Sequence, residues 1–362
     1  MKYYWHSTLL VGLVIGFLFV AFLFVPALPA QQAHWEALDQ QLADLYKTGR
    51  YQEALPVAQE ALKVAESTFG ANHFNVASSC NNLAEIYRML GRYEEARPLY
   101  QRALRVVENS VGPDNTLMAA VLNNLAELER VQGNYSAAEP LYRRAIQSRE
   151  KILGSEHPDL AQSLNNLALL YAAQNKAAEA EPLYQRALAI YRKAYGEQNL
   201  LVAGTLSNLA ELYRTEQKYA QAEPLFVKAL QITEKLAGPQ SAPAATNRNN
   251  LALLYAAQNK SKDAEKNFQA ALAIQEKIYG PDSAAIGTTL QNLATFYQDQ
   301  GHWAEAEAMW RRVLQIAEKV YGAENPNLAL PLDKLTVIYK KMGKDQEAAK
   351  TAERSRKLSA SR

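Results

Sequence analysis

A single cysteine, Cys80, stands in a chain of 362 residues. One thiol excludes an intramolecular disulfide and any cysteine-based metal cluster, while leaving the redox compartment open. Cys80 falls on the apolar side of a predicted helix, where it packs as a small inert hydrophobe. One-sided charge is missing too: 39 Lys and Arg against 37 Asp and Glu leave a formal net charge of +2. That is too little for the basic face nucleic acid requires, so no nucleic-acid partner is expected. β-branched runs bounded by turn residues are scarce, and no sheet is predicted. The sequence has no glycine-rich phosphate loop, no His-Glu-x-x-His and no Gly-x-Ser-x-Gly, and its five histidines (His6, His34, His73, His157 and His302) are scattered. Linker or capping roles are expected for the last three, and no enzyme activity, cofactor or metal is expected.

Long apolar runs are absent except at the start, where Lys2 precedes an unbroken run from Leu9 to Val25, followed by Pro26-Ala27-Leu28-Pro29-Ala30 and Gln31-Gln32. A short positive head, an apolar middle and a small residue before a polar start are the parts of a secretory signal, and residues 1–30 are read as one, cut after Ala30. Residues 9–25 also reach the lower limit of a membrane span, so an uncleaved anchor is the alternative, and it is the only membrane contact the sequence offers. Orientation is the same either way. Residues 31–46 carry Glu36, Asp39 and Asp44 with no Lys or Arg, so the positive-inside bias sends the body across the membrane, to an extracytoplasmic (periplasmic or secreted) location.

What is abundant is repetition. From about residue 33 to 358 the chain repeats with a period of 42: alanine recurs at Ala54, Ala96, Ala138, Ala180, Ala222, Ala264, Ala306 and Ala348, and glycine at Gly70, Gly112, Gly154, Gly196, Gly238, Gly280 and Gly322. A leucine column (Leu42, Leu83, Leu125, Leu167, Leu209, Leu251, Leu293, Leu335) keeps the same step after a first interval one residue shorter. In the second repeat Cys80, Leu83, Ala84, Ile86, Tyr87 and Leu90 share one arc at 100° per residue, which predicts a helix A over 77–90. Gly91-Arg92 then turns the chain into a helix B over about 94–110, burying Ala96, Leu99, Tyr100, Ala103 and Leu104. Pro98 sits early in helix B, where its missing N–H is expected to cost nothing. Two helices approach closely only where the facing residue is small, so a large side chain at Ala180 would push them apart. A lone hairpin of this size cannot bury enough apolar surface to fold, so the repeats must stack.

Leu83-Ala84, Tyr87, Ala96, Tyr100 and Ala103 resemble the tetratricopeptide signature, with a period of 42 in place of 34 and no proline closing helix B. The runs Asn165-Asn166-Leu167-Ala168 and Ala180-Glu181-Pro182-Leu183-Tyr184 and the linker Gly154-Ser155-Glu156-His157-Pro158 are similar to the repeats of kinesin light chains and their bacterial relatives. The resemblance implies an all-α, right-handed solenoid of eight stacked two-helix repeats over residues 31–358, with a short tail at 359–362 and a groove that binds a protein or extended peptide.

Six asparagines hold one position in six successive repeats: Asn82, Asn124, Asn166, Asn208, Asn250 and Asn292. Asparagine is a mediocre helix former, so a merely solvated face does not call for it. In the family these residues line the concave groove and hold a peptide backbone with amides that both donate and accept; bonding across to the next repeat is the alternative. Beside this ladder Glu85/Arg88, Glu127/Arg130 and Glu211/Arg214 place charge where Leu169 with Ala172 and Leu253 with Ala256 place apolar surface. Residues 165–176 and 249–260 are identical, so duplication without ligand selection explains the apolar pair equally well. Glu129 replaces the tyrosine of the other seven repeats and is expected to pair locally with an arginine such as Arg143. The function read here is an exported scaffold that takes a partner segment into its groove; a membrane-tethered adaptor working through its convex surface or end faces is the alternative.

The leader generates a direct expectation. N-terminal sequencing of the natively produced chain should find Gln31 first, with the body outside the cytoplasm; retained Met1 selects the anchor, and a cytoplasmic body overturns both.

Overall fold

The computed structural model describes residues 27–112 and 115–360. Sixteen α-helices, two short 3-10 helices and no strand occur among the described residues. Backbone packing divides the chain into two compact units, the first ending at Gln174 and the second beginning at Asn175. The first holds α1 (Ala27–Lys47) and α2 (Tyr51–Phe69), α3 (Phe74–Met89) and α4 (Tyr93–Ser110), α5 (Thr116–Val131) and α6 (Tyr135–Leu153), then α7 (Pro158–Ala173). The second opens with α8 (Ala177–Tyr195) and continues with α9 (Leu200–Thr215) and α10 (Tyr219–Ala237), α11 (Ala242–Ala257) and α12 (Ser261–Tyr279), α13 (Gly287–Asp299) and α14 (Trp303–Tyr321), and α15 (Ala329–Lys341) and α16 (Asp345–Ser359). Odd-numbered helices are the A helices of the repeat and even-numbered ones the B helices, as in a tetratricopeptide solenoid. The predicted cut after Ala30 lies within α1, and residues 9–25 fall outside the described residues. No described helix is long and apolar enough to cross a membrane.

Two columns with a period of 42 punctuate the helices. His73, Asn115, His157, Asn199 and Ser241 precede A helices, and each side chain accepts a backbone N–H from the first turn. Ser283 and Asn325 cap in the same way the short 3-10 turns Ala284–Ile286 and Pro326–Leu328 that lead into α13 and α15. His73 and His157 do so through Nδ1, 3.1 Å from the N–H of Asn75 and of Asp159 respectively. That cap starts α3 at Phe74, three residues ahead of the predicted start. The A-to-B turn needs a left-handed residue, supplied by Gly91 or Gly133 in some repeats and by Asn175, Gln217 and Asn259, with φ of 57 to 59°, in others. Gln217 bears the largest steric cost, because its side chain lacks the short local hydrogen bonds that ease asparagine there. Pro98 is the sixth residue of α4, past the turn whose N–H groups lack partners. The expectation that its missing donor costs nothing is therefore corrected: it gives up one helical bond.

Packing inside each hairpin follows the alanine column. Ala54, Ala96, Ala138, Ala222, Ala264 and Ala306 are wholly inaccessible to solvent. Next to them a second column runs Tyr100, Tyr142, Tyr184, Phe226, Phe268, Trp310, each 2% exposed or less. The first repeat has Ala58 in this column and the last has Ala352, the departure expected of repeats with a neighbour on one side only.

Polar columns join one repeat to the next. The hydroxyl of Tyr171 donates to Glu139 Oε1 at 2.8 Å, that of Tyr213 to Glu181 Oε1 at 2.8 Å, and that of Tyr297 to Glu265 Oε1 at 2.9 Å. In one repeat the pair is inverted. Glu129 stands in the tyrosine column and Arg97 in the glutamate column, and the two form a short ion pair, with Asn134 Nδ2 donating to Glu129 Oε2 at 2.9 Å. The partner expected for Glu129 was Arg143; that guanidinium is turned instead to Glu139 (3.0 Å) and the Tyr171 hydroxyl (2.6 Å). A carboxylate 4% exposed calls for a cation in contact, and Arg97, in the column facing it across the repeat boundary, supplies one. On the other side of the B helices Arg102 pairs with Glu66 and Arg144 with Glu108 in the first unit, both at 2.6 Å, and Arg312 with Glu276 and Arg354 with Glu318 in the second, both at 2.5 Å.

Two stability outcomes follow. Ala222→Trp, in the α9–α10 hairpin, should lower stability by at least ~1 to 3 kcal/mol through overpacking; coincident melts of variant and parent would show that the helices are not held closely there. Glu129→Tyr alone takes the carboxylate from the Arg97 guanidinium, leaving Gln132 as its partner, and should cost roughly 1 to 3 kcal/mol. Adding Arg97→Glu restores the pairing of the other repeats and should recover most of that loss in a double-mutant cycle; strictly additive losses would disprove the inverted pair.

Candidate functional site

In each unit the A helices of neighbouring repeats touch directly, α3 with α5 and α5 with α7 in the first, α9 with α11 and α11 with α13 in the second. The polar arc of the A helices therefore lines one side of each unit, with the B helices behind it. The first unit brings together Asn82, Asn124, Asn166, Glu85, Arg88, Glu127, Arg130 and Leu169; the second carries Asn208, Asn250, Asn292, Glu211, Arg214 and Leu253.

The ladder asparagines reach back to the preceding repeat. Asn124 Nδ2 donates to Asn81 Oδ1 at 3.0 Å, Asn166 Nδ2 to Asn123 Oδ1 at 3.3 Å, Asn250 Nδ2 to Ser207 Oγ at 3.3 Å and Asn292 Nδ2 to Asn249 Oδ1 at 3.1 Å. At the N-terminal end Asn82 Nδ2 donates to Asp39 Oδ1 at 2.9 Å. Burial keeps the Asp39 carboxyl above its usual range even against that hydrogen bond. The acceptors Asn81, Asn123, Ser207 and Asn249 are buried, and a buried polar atom needs a partner. Bonding across the repeat, the structural alternative for this column, is thus present at Asn82, Asn124, Asn166, Asn250 and Asn292. All six remain half-buried. One donation uses one of an amide's two N–H groups, and its carbonyl has two lone pairs.

The three glutamate–arginine pairs are of two kinds. Arg88 holds Glu85 through two bonds, at 2.9 and 2.6 Å, and the hydroxyls of Tyr100 and Tyr46 donate to the same carboxylate at 2.7 and 2.8 Å. Arg130 holds Glu127 at 2.8 and 2.7 Å, and Tyr142 donates at 2.6 Å. Burial alone would raise both carboxyl pKa values, but the guanidinium and the hydroxyls outweigh it and hold them below the usual range. Arg214 holds Glu211 at 2.7 and 2.6 Å, but the residue behind it is Phe226, which has no hydroxyl, and Glu211 is 41% exposed against 16% for Glu85. Equal spacing in the sequence predicts three equivalent charged spots. Their difference lies in the B-helix aromatic column, where Tyr100, Tyr142 and Phe226 could have been read as the signal. Leu169 and Leu253 are half-buried and interrupt the charged stretches.

Each unit has a depression on this face. The first, about 370 Å³, is lined by Asp39, Tyr46, Asn82, Glu85, Asn124 and Gln162. The second, about 500 Å³, includes Gly204, Ser207, Asn208, Thr246, Asn247 and Asn250. Asp39, Tyr46, Gln162 and Thr246 were not among the sequence candidates: Gln162 and Thr246 share an A-helix position that follows no single residue type, and Tyr46 belongs to the tyrosine column read as packing. A methyl group added to Gly204 would meet nothing within 4 Å, so this glycine enlarges the depression and relieves no clash. No group of histidine, cysteine, aspartate or glutamate able to hold a metal occurs among the described residues.

Comparison with known proteins agrees with this architecture. A family model described as Tetratricopeptide repeat matches residues 36–109, 117–193, 201–277, 260–309 and 285–361, and a second of the same description matches 81–152. No curated protein matches the chain. A solved Rap protein complexed with Competence and Sporulation Factor is 17% identical with a TM-score of 0.59, over 90% of this chain and 98% of that one, which is a likeness of fold. BtubC (BKLC) from P. vanneervenii is 28% identical with a TM-score of 0.48, over 68% of this chain and 91% of that one. A putative kinesin light chain from Podosopora anserina with nearly identical repeats is 22% identical with a TM-score of 0.47, over 56% of this chain and 96% of that one. With family models covering most of its length and sixteen helices paired as the repeat requires, the chain belongs to the tetratricopeptide repeat family, as a scaffold that mediates protein–protein interaction.

Proposed function

We propose that the chain acts outside the cytoplasm and that the A-helix face of its repeats holds an extended segment of another protein. The observation that carries this reading is the half-buried asparagine at one position of successive A helices, oriented by a bond to the repeat before it. Packed helices lie about 8 to 10 Å apart, and an extended chain advances about 3.3 Å per residue. One ladder amide is therefore offered for roughly every third residue of a bound backbone. The bond to the preceding repeat fixes each side chain before a partner arrives, which reduces the ordering cost of binding.

The closed Glu85–Arg88 and Glu127–Arg130 pairs contribute a polar wall whose charges are already answered within the protein. Recognition on this reading relies on the partner's backbone and on apolar side chains set against Leu169 and Leu253, and little on the partner's charge. The Rap protein of similar fold was solved in complex with Competence and Sporulation Factor, which supports a binding role for such a scaffold.

The test uses extended peptides selected on the intact chain from a displayed library, with affinity followed by titration and stability by melting. Asn124→Ala with Asn166→Ala should weaken binding roughly 5- to 100-fold, since each amide contact contributes about 0.5 to 1.5 kcal/mol. Asn81→Ala with Asn123→Ala removes only the acceptors in the preceding repeats, and should lower the melting temperature while affinity changes far less. Unchanged affinity in the folded ladder variant, or equal losses in both sets, would leave the ladder as a stacking device and defeat the proposal.

A further inference from the structure

We infer that the linker edge of the second unit is an interfacial surface that docks on anionic phospholipid. It lies at the B-helix ends, away from the face assigned to a partner segment. Four successive B helices finish on the same pattern, Lys193-Ala194-Tyr195-Gly196, Lys235-Leu236-Ala237-Gly238, Lys277-Ile278-Tyr279-Gly280 and Lys319-Val320-Tyr321-Gly322. The glycines adopt φ of 78 to 90° and end each helix at the same residue, so each repeat presents the same two positions beyond its lysine.

The large apolar members of this row are not buried. Tyr195, Leu236, Ile278, Tyr279, Val320 and Tyr321 are 43% to 53% exposed. Leu200 and Leu201, in the first turn of α9 just after Tyr195, are exposed to the same degree. Most of the large apolar side chains exposed among the described residues thus lie on this one edge. The four lysines are exposed as well.

Four of the acidic groups nearby pair with arginines: Glu197 with Arg192 at 2.7 Å, Glu276 with Arg312 and Glu318 with Arg354 at 2.5 Å each, and Glu234 with Arg248. Asp282 lies 3.9 Å from Lys319. The repeat itself does not require the pattern. In the first unit the same positions read Ser67-Thr68-Phe69 and Asn109-Ser110-Val111, and Phe69 is covered by Trp35 and His73, with ring centroids 5.7 and 4.9 Å away. The third repeat keeps Lys151, but its Ile152 and Leu153 are half-buried.

Aliphatic and tyrosine side chains beside lysines form the composition of protein segments that lie at a bilayer interface. The ammonium groups answer anionic headgroups, the aliphatic chains enter the acyl boundary, and the phenol rings stay at headgroup level. A fluid lipid surface can reach one projecting pair in every repeat at once, whereas a folded partner would need relief complementary to each of them. An apolar leader at residues 9–25, retained or transiently present, would bring the body to such a surface.

The test attaches an environment-sensitive fluorophore to the full chain at I278C, and separately at D299C on the opposite, A-to-B turn edge; the native thiol, Cys80, is buried. Vesicles are phosphatidylcholine with or without phosphatidylglycerol, and circular dichroism checks that each labelled chain is folded. The probe reports its own surroundings, so vesicle binding through the leader does not mimic docking of the edge. At I278C the emission should shift to the blue and be quenched by brominated lipid on the anionic vesicles, with little change at D299C. Replacing Lys193, Lys235, Lys277 and Lys319 by glutamine should move the midpoint of that shift to roughly tenfold more lipid or beyond, and raised salt should act in the same direction. An unshifted I278C probe on anionic vesicles, an equal shift at D299C, or a shift that follows protein concentration without lipid, as a second copy on this edge would give, overturns the proposal.

Discussion

Each hairpin closes over an alanine, and the rest of the architecture depends on that approach. Ala96, Ala138, Ala222 and Ala264 have no accessible surface, so the helices on either side meet almost at backbone distance and leave no room for another methylene. Held that closely, the pair presents two outer flanks, neither of which is a complete core alone. Tyr100, Tyr142, Phe226 and Trp310 fill the hairpins from one side, and the neighbouring repeat covers the remainder. Stability is therefore built from nearest-neighbour interfaces, and a lesion at one alanine acts on the hairpin and on both of its contacts.

Polar groups decide how the stack is aligned once apolar burial has made it favourable. Tyrosine-to-glutamate bonds, arginine-to-glutamate pairs and the asparagine ladder all cross from one repeat to the next at fixed positions. Their net contribution to stability is modest, but each leaves a buried group unsatisfied if the repeats slip. The inverted Arg97–Glu129 pair shows the rule: the column tolerates exchange of chemistry on both sides of the boundary and would be costly to change on one side.

The same residues join structure to proposed function. A ladder asparagine satisfies a buried acceptor in the repeat before it and stays half-buried on the A-helix face. Glu85 and Glu127 are similarly absorbed by arginine and tyrosine. Residues chosen for stacking thus become a preorganised surface, and the polarity of the face is larger than its net charge. The linker edge of the second unit follows a different logic, because its apolar and basic side chains are exposed where packing asks for neither.

Much of this was legible in the sequence because a period of 42 repeats every local decision eight times. The alanine, glycine and leucine columns locate the hairpins and turns, and Asn82 through Asn292 mark one position on the A helices. Those features are local, set by helical periodicity and by the conformational freedom of glycine. Partner identities across a repeat boundary were not legible, since they depend on how far each repeat is rotated against the next. That rotation pairs Glu129 with Arg97 and leaves Arg143 to Glu139 and Tyr171. It also turns the ladder amides toward acceptors 43 residues earlier. Helix starts were displaced for a related reason: the hydrophobic pattern begins at Ala77, but His73 closes the first turn and admits three more residues. Sequence alone determined the kind of repeat and where its small, apolar and amide residues recur, because each is dictated within one hairpin. Tertiary structure alone decided which charges are spent within the stack and which side chains stay exposed, because burial and pairing exist only once neighbouring repeats are in place.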